Sequence, residues 1–134
     1  GYAAGDTLIS IENLYGSEFA DTLIGNAAAN LIGGKGGADT IDGGKGNDTL
    51  YGDDGKDTFI FAKGYGRDEI DDFALSGVSA DRINLKGLTG MDTFNDVKAA
   101  MSNDGSDVVL KVGSDVLTIL NIQKADFTAG DFIL

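Results

Sequence analysis

GSEFADTLI, GNAAANLIG, GKGGADTID, GGKGNDTLY and GDDGKDTFI, residues 16–60, are five nine-residue units joined without a gap. Glycine opens each unit (Gly16, Gly25, Gly34, Gly43, Gly52), an acid or its amide stands sixth (Asp21, Asn30, Asp39, Asp48, Asp57), and a large apolar residue stands eighth (Leu23, Ile32, Ile41, Leu50, Phe59). A repeat of fixed short period specifies stacked units, none able to bury its apolar side chain alone and each completed by its neighbours. The fold class read from this period is an all-β solenoid.

Within a unit the last three residues, such as Thr49-Leu50-Tyr51, read as a strand whose middle side chain points inward. The six before them reverse the chain, and glycine supplies the backbone conformations that such a turn needs. Two units complete one coil. Turns opened by Gly16, Gly34 and Gly52 therefore share one edge, and those opened by Gly25 and Gly43 share the other.

Stacking puts Asp21, Asp39 and Asp57 in one column and Asn30 and Asp48 in the other, at about the 4.8 Å spacing of neighbouring strands. Carboxylates that close repel by about 1 kcal/mol per pair in water, and by about 3.5 kcal/mol at an effective dielectric constant of about 20. A cation between turns removes the repulsion. The donors are carboxylates, one amide and backbone carbonyls, all hard oxygens at adjustable positions, which favours Ca²⁺ over Mg²⁺ and excludes zinc-type sites.

GGKGNDTLY, residues 43–51, resembles the GGxGxDxUx nonapeptide of RTX (repeats-in-toxin) proteins, and the flanking IENLYGSEFADTLIGN is similar to the lead-in before such arrays. The resemblance spans residues 11 to 72. It implies a parallel β-roll with Ca²⁺ between turns on the same edge. It further implies that one turn offers the carbonyls of its positions one and three, the next turn those of two and four, and both their sixth residue. Carried over, one site joins Asp39 and Asp57 through the Gly34, Gly36, Asp53 and Gly55 carbonyls. A second joins Asn30 and Asp48 through Gly25, Ala27, Gly44 and Gly46. About three to four ions are expected in all.

Departures from the pattern fall at both ends. Phe19 and Ala28 stand fourth, where glycine is expected, which weakens the pairing of Asp21 with Asp39, and Asn30 offers a neutral oxygen. The first coil is expected partly to cap. Downstream, Phe61-Ala62 insert two residues before KGYGRDEID, which restores Gly64, Gly66 and Asp68. That shifted unit is expected to pair with Asp48 through Gly43 and Lys45. Upstream, Thr7 to Tyr15 fits the period loosely, with Glu12 sixth and Leu14 eighth.

A glycine-rich acidic stretch also suits a disordered linker, but no linker requires an apolar eighth residue in every unit. The Thr22, Thr40, Thr58 column suits ordinary strand surface better than an ice- or sugar-binding ladder. Asp53 and Asp54 read as a solvated rim. The chain has 134 residues, net charge −12 and no cysteine, histidine, proline or tryptophan. No disulfide can brace it outside the cell, so metal is left to supply the cross-links. Acidity argues against nucleic acid and anionic membranes, and no run is long enough to span a bilayer. Histidine- and cysteine-based catalysis is excluded, and the GK pairs at Gly34, Gly44 and Gly55 lack a phosphate loop's Ser/Thr and spacing. The patterned start without a leader suggests part of a longer protein.

After Asp72 the period fails and a mixed cap is expected. Asp81 to Leu85 alternates like a strand, and Thr93-Phe94-Asn95-Asp96 reads as a capped helix start whose Phe94, Val97 and Met101 share a face. Val108 to Val112 and Val116 to Ile122 read as a hairpin joined at Gly113-Ser114-Asp115. Asp131-Phe132-Ile133-Leu134 resembles the C-terminal signal read by type I (ABC-transporter) secretion systems, and equally fits a last strand. The expected division is a lead-in coil at 1–15, the calcium-binding roll at 16–72 and the cap at 73–134. The resemblance implies a non-catalytic, secreted, extracellular Ca²⁺-binding module that folds on metal and supports secretion of a larger protein. The alternative is a polysaccharide-binding accessory module similar to the R-modules of alginate epimerases.

Overall fold

The computed structural model describes residues 12–77 and 80–134, so the part of the looser upstream unit before residue 12 lies outside the described residues. The loose upstream unit delivers strand β1 (Asn13–Tyr15) and the five nonapeptides deliver β2 (Thr22–Ile24), β3 (Leu31–Gly33), β4 (Thr40–Asp42), β5 (Thr49–Tyr51) and β6 (Thr58–Ile60). They are followed by β7 (Arg67–Ile70), β8 (Arg82–Asn84), helix α1 (Phe94–Ala100), β9 (Met101–Asp104), β10 (Asp107–Val112), β11 (Asp115–Ile119) and β12 (Phe132–Ile133). Successive strands alternate between two sheets, because the turn between them reverses the chain. One sheet runs β1-β3-β5-β7-β11-β10-β9 and the other β12-β8-β6-β4-β2. This is the solenoid that the period implies, in the parallel-roll form that the resemblance implies, and it is continued by a mixed cap.

Register follows the repeat. Leu14, Ile32 and Leu50 lie side by side in one sheet, as do Leu23, Ile41 and Phe59 in the other. Ile32, Ile41 and Phe59 are essentially fully buried. Phe61-Ala62 lengthen the next step, so that Leu50 pairs with Ile70. The sheets do not stop at Asp72. β8 adds in parallel to β6 with Ile83 beside Phe59, β12 adds to β8 with Phe132 beside Ile83, and β11 adds to β7 with Ile119 beside Ile70. The apolar columns thus run from the repeats into the cap.

Aromatic rings carry the same continuity. Phe59 meets Phe73 at 6.1 Å between centroids, Phe73 meets Phe127 at 5.7 Å, Phe127 meets Phe132 at 5.5 Å, and Phe132 meets Phe94 of α1 at 5.8 Å. The helix begins where its box says it should: Asp96 Oδ2 accepts the Thr93 amide at 2.9 Å and Thr93 Oγ1 accepts the Asp96 amide at 3.2 Å. Val97 is buried, and Met101 is buried at the start of β9. At the other end Phe19 is 78% exposed and Ile24 60%.

Candidate metal sites in the turns

The turns owe their shape to positions two and four. Position two takes positive φ at Lys35 (77°), Gly44 (82°), Asp53 (61°) and Gly64 (84°), and position four at Gly37 (112°), Gly46 (129°), Gly55 (149°) and Gly66 (99°). Glycine adopts such angles without a Cβ clash. Phe19 and Ala28 do not take positive φ. The first turn on each edge accordingly differs from those that follow.

The sixth residues form two ladders. Asp39 Oδ1 accepts the Asp21 amide at 2.7 Å, Asp57 Oδ1 that of Asp39 at 2.8 Å, and Asp81 Oδ1 that of Asp57 at 2.9 Å. On the other edge Asp48 Oδ1 accepts the Asn30 amide at 2.8 Å and Asp68 Oδ1 that of Asp48 at 3.0 Å. One carboxylate oxygen of each aspartate thus ties coil to coil.

What becomes of the second oxygen divides the sites. Asp21 Oδ2 folds back on its own turn, accepting the Ser17 amide at 2.6 Å and the Ser17 hydroxyl at 2.8 Å, and Asn30 Oδ1 accepts the Asn26 amide at 2.9 Å. The Oδ2 atoms of Asp39, Asp48, Asp57 and Asp68 are buried with no hydrogen-bond partner. Leaving a buried carboxylate oxygen unpaired is costly. Its effect is written in the acidities: burial raises the Asp57 and Asp68 carboxyls to about 7 and that of Asp48 to about 6, and raises Asp39 as well. The Asp21 carboxyl is instead lowered, chiefly by the Ser17 amide.

Carbonyls converge on these orphan oxygens. A methyl group on Gly34 would collide with Asp39 Oδ2 and lie 2.8 Å from the Gly52 carbonyl, and one on Gly43 would lie 2.5 Å from Asp48 Oδ2. Glycine leaves that space open, a cradle walled by oxygen. Among the described residues no group of three or more acidic side chains is placed to hold a metal. Any cation here must be held largely by backbone carbonyls, and the hard-oxygen set fits Ca²⁺.

The carbonyl directions correct the reading from sequence. The position-one carbonyls of Gly34, Gly43 and Gly52 face the preceding turn, against Gly16, Gly25 and Gly34. Those of positions two and four face the following turn: Asn26 toward Gly44, Ala28 toward Gly46, Gly37 toward Gly55 and Gly46 toward Gly66. The Gly34 carbonyl therefore lies in the gap between Asp21 and Asp39, not between Asp39 and Asp57. Likewise the Gly43 carbonyl lies between Asn30 and Asp48, and the Gly46 carbonyl between Asp48 and Asp68. Position-three carbonyls also face back, since Asp54 accepts the Gly37 amide at 3.0 Å and Tyr65 that of Gly46 at 2.9 Å. By the same alternation Gly36 and Lys45 face back, whereas Gly44, Asp53, Gly55, Gly64 and Gly66 face forward. Spacing dictates the alternation of peptide planes, but both directions satisfy it.

Two buried aspartates escaped the sequence reading as continuations of the turns. Asp81 extends one ladder, and Asp115 accepts the Gly64 amide at 2.8 Å and the Gly66 amide at 3.0 Å. Each opens the triplet acid or amide, any residue, apolar residue (Asp81-Arg82-Ile83, Asp115-Val116-Leu117) that fills positions six to eight of every nonapeptide. That triplet was the available signal. Irregular spacing concealed it.

Residues 10–41 and 33–68 match the family model of the RTX calcium-binding nonapeptide repeat (4 copies). No curated protein matches the chain. Among solved structures, the extracellular lipase LipA from Serratia marcescens is similar in fold, with a TM-score of 0.61 and 22% identity over 89% of this chain and 20% of the lipase. The chain thus spans about a fifth of that lipase's length. The AlgE6R3 subunit of the mannuronan C5-epimerase from Azotobacter vinelandii matches at 27% identity over 88% of this chain and 80% of its own, with a TM-score of 0.35. The matched family is a calcium-binding repeat, not a catalytic domain.

Proposed function

Starting from RTX calcium-binding nonapeptide repeats stacked as a roll, we propose that this chain is a module that folds on Ca²⁺ outside the cell and serves a larger secreted protein. Four buried Oδ2 atoms without partners, on Asp39, Asp48, Asp57 and Asp68, carry the reading. Without metal their burial opposes folding; a divalent cation turns the same oxygens into ligands. Ions sit between Asp39 and Asp57 and between Asp48 and Asp68. The Asn30–Asp48 and Asp21–Asp39 gaps bind more weakly, because Asn30 and Asp21 already satisfy their own turns. Low Ca²⁺ inside the cell leaves the acidic chain extended for export, and millimolar Ca²⁺ outside closes the roll. Affinities of extracellular modules suit that range.

Ca²⁺ titrated into the chelator-treated chain, followed by far-ultraviolet circular dichroism with Mg²⁺ as control, tests this. A cooperative gain of β-structure with Ca²⁺ alone is expected; a spectrum indifferent to Ca²⁺ overturns it. Residues Asp131 to Leu134 serve as the signal for the type I transporter. Asp131→Asn keeps an acceptor oxygen for the Thr128 amide, now held by Asp131 Oδ2 at 2.6 Å, so unchanged export of that variant would remove the acidic signal.

A further inference from the structure

The ladder of sixth residues does not end with the repeats. Asp81 stands to Asp57 as Asp57 stands to Asp39: its Oδ1 accepts the Asp57 amide at 2.9 Å, and the strands that follow pair in parallel, Arg82 beside Thr58 and Ile83 beside Phe59. Asp57 and Asp81 are both buried. The Asp57 Oδ2 atom has no partner and crowds Gly52 as Asp39 Oδ2 crowds Gly34. In the gap between Asp39 and Asp57, Asp39 Oδ2 and the Gly52 carbonyl of the next turn both border the space beside Gly34. On the far side of Asp57 no further nonapeptide supplies one.

The walls of this outer gap are nonetheless built. Position-two and position-four carbonyls face the following turn at Asn26, Ala28, Gly37 and Gly46, and the same alternation turns those of Asp53 and Gly55 toward Asp81. Asp72 braces the same turn from outside, accepting the Gly52 amide at 2.9 Å with Oδ1 and the Asp53 amide at 2.7 Å with Oδ2. Asp81 Oδ2 accepts the Ala74 amide at 2.8 Å and holds the segment after residue 72 against the gap. The other edge is closed differently, because Asp115 covers the Gly64 and Gly66 amides and the Val116 amide donates to the Gly66 carbonyl at 2.8 Å.

We propose that a further Ca²⁺ is held beyond the repeat array, between Asp57 and Asp81, by their carboxylates and the Asp53 and Gly55 carbonyls. It joins the roll to its cap with the same chemistry that joins coil to coil. The proposal rests on the calcium reading above, and hard oxygen donors of one charge favour a divalent cation.

Calorimetric titration of Ca²⁺ into the whole chain, wild type against Asp81→Asn, tests it. The variant is expected to bind one Ca²⁺ fewer per chain, while Asp39→Asn loses a different ion. Wild-type stoichiometry and affinity in Asp81→Asn would reduce Asp81 to a hydrogen-bond acceptor and overturn the site. Should that variant fail to fold, anomalous scattering from wild-type crystals grown in Ca²⁺ decides: a peak between Asp57 and Asp81 is expected, and its absence beside a peak between Asp39 and Asp57 overturns the proposal. Absence of any peak, with no heat of binding, would overturn the calcium reading itself.

Discussion

The Asp39 amide donates to Asp57 Oδ1 at 2.8 Å across neighbouring coils, while Asp57 Oδ2 is buried without a partner. One carboxylate thus holds two coils together and presents an unsatisfied charge to the next gap. On the calcium reading proposed above, one carboxylate would serve both the stack and the metal.

Asp39→Ala or Asp57→Ala is expected to lower Ca²⁺ affinity and Ca²⁺-dependent stability together. At ten times its dissociation constant, each lost ion removes about 1.4 kcal/mol of stabilisation by linkage. Calorimetry paired with thermal unfolding checks both. A double variant binding Ca²⁺ like the wild type would eliminate this pair as ligands.

Gly34→Ala should weaken binding by steric filling alone, because the added methyl collides with Asp39 Oδ2. Gly105→Ala is the control. Its φ is 64° but nothing lies within 4 Å of the added carbon, so it should cost about 1–2 kcal/mol of stability and leave Ca²⁺ affinity unchanged. Equal affinities in the two variants would argue against the cradle.

Acidity should act in opposite senses on the metal-free and loaded states. Asp48, Asp57 and Asp68 titrate at about 6, about 7 and about 7 in the folded chain, against about 3.9 for an unfolded aspartate. Protonated carboxyls favour the folded metal-free roll; that contribution is complete below about pH 4 and is lost as pH rises through about 7. Ca²⁺ must displace the same protons, so affinity should fall on acidification below pH 7 and binding at pH 6 should release protons. Binding heats in buffers of different ionisation enthalpy measure that release.

Acidic oligosaccharides are expected not to bind. Arg67 and Lys111 do line one depression on the outer face of the larger sheet, with Val109, Val116 and Thr118, but Glu69 and Asp104 line it too. Opposing charges leave no basic track for a polyanion. Chemical-shift titration with an acidic oligosaccharide under saturating Ca²⁺ checks this, and shifts confined to Arg67 and Lys111 would restore the polysaccharide reading.

Much of the molecule was legible because its information is local and repeated. Glycine at position one, an acid or its amide at six and an apolar residue at eight recur in all five units, and each answers to a close approach, a stacking charge or a core column. The insertion of Phe61-Ala62 could be read because Gly64, Gly66 and Asp68 resume the period at once. Asp81 and Asp115 could not be placed the same way. Each reaches its coil after an irregular segment, and the distance spanned by such a segment is set by packing, here by the Phe59, Phe73 and Phe127 contacts.

The sequence by itself therefore determined the solenoid, the two edges, the ladder of sixth residues and the hard-oxygen chemistry between turns, since all follow from the period. Only the tertiary structure decided which way the carbonyls point and which oxygens are left unpaired. It also decided where the columns end. Peptide planes alternate equally well in either direction until a neighbouring coil fixes one, and an oxygen is unpaired only by reference to everything folded around it.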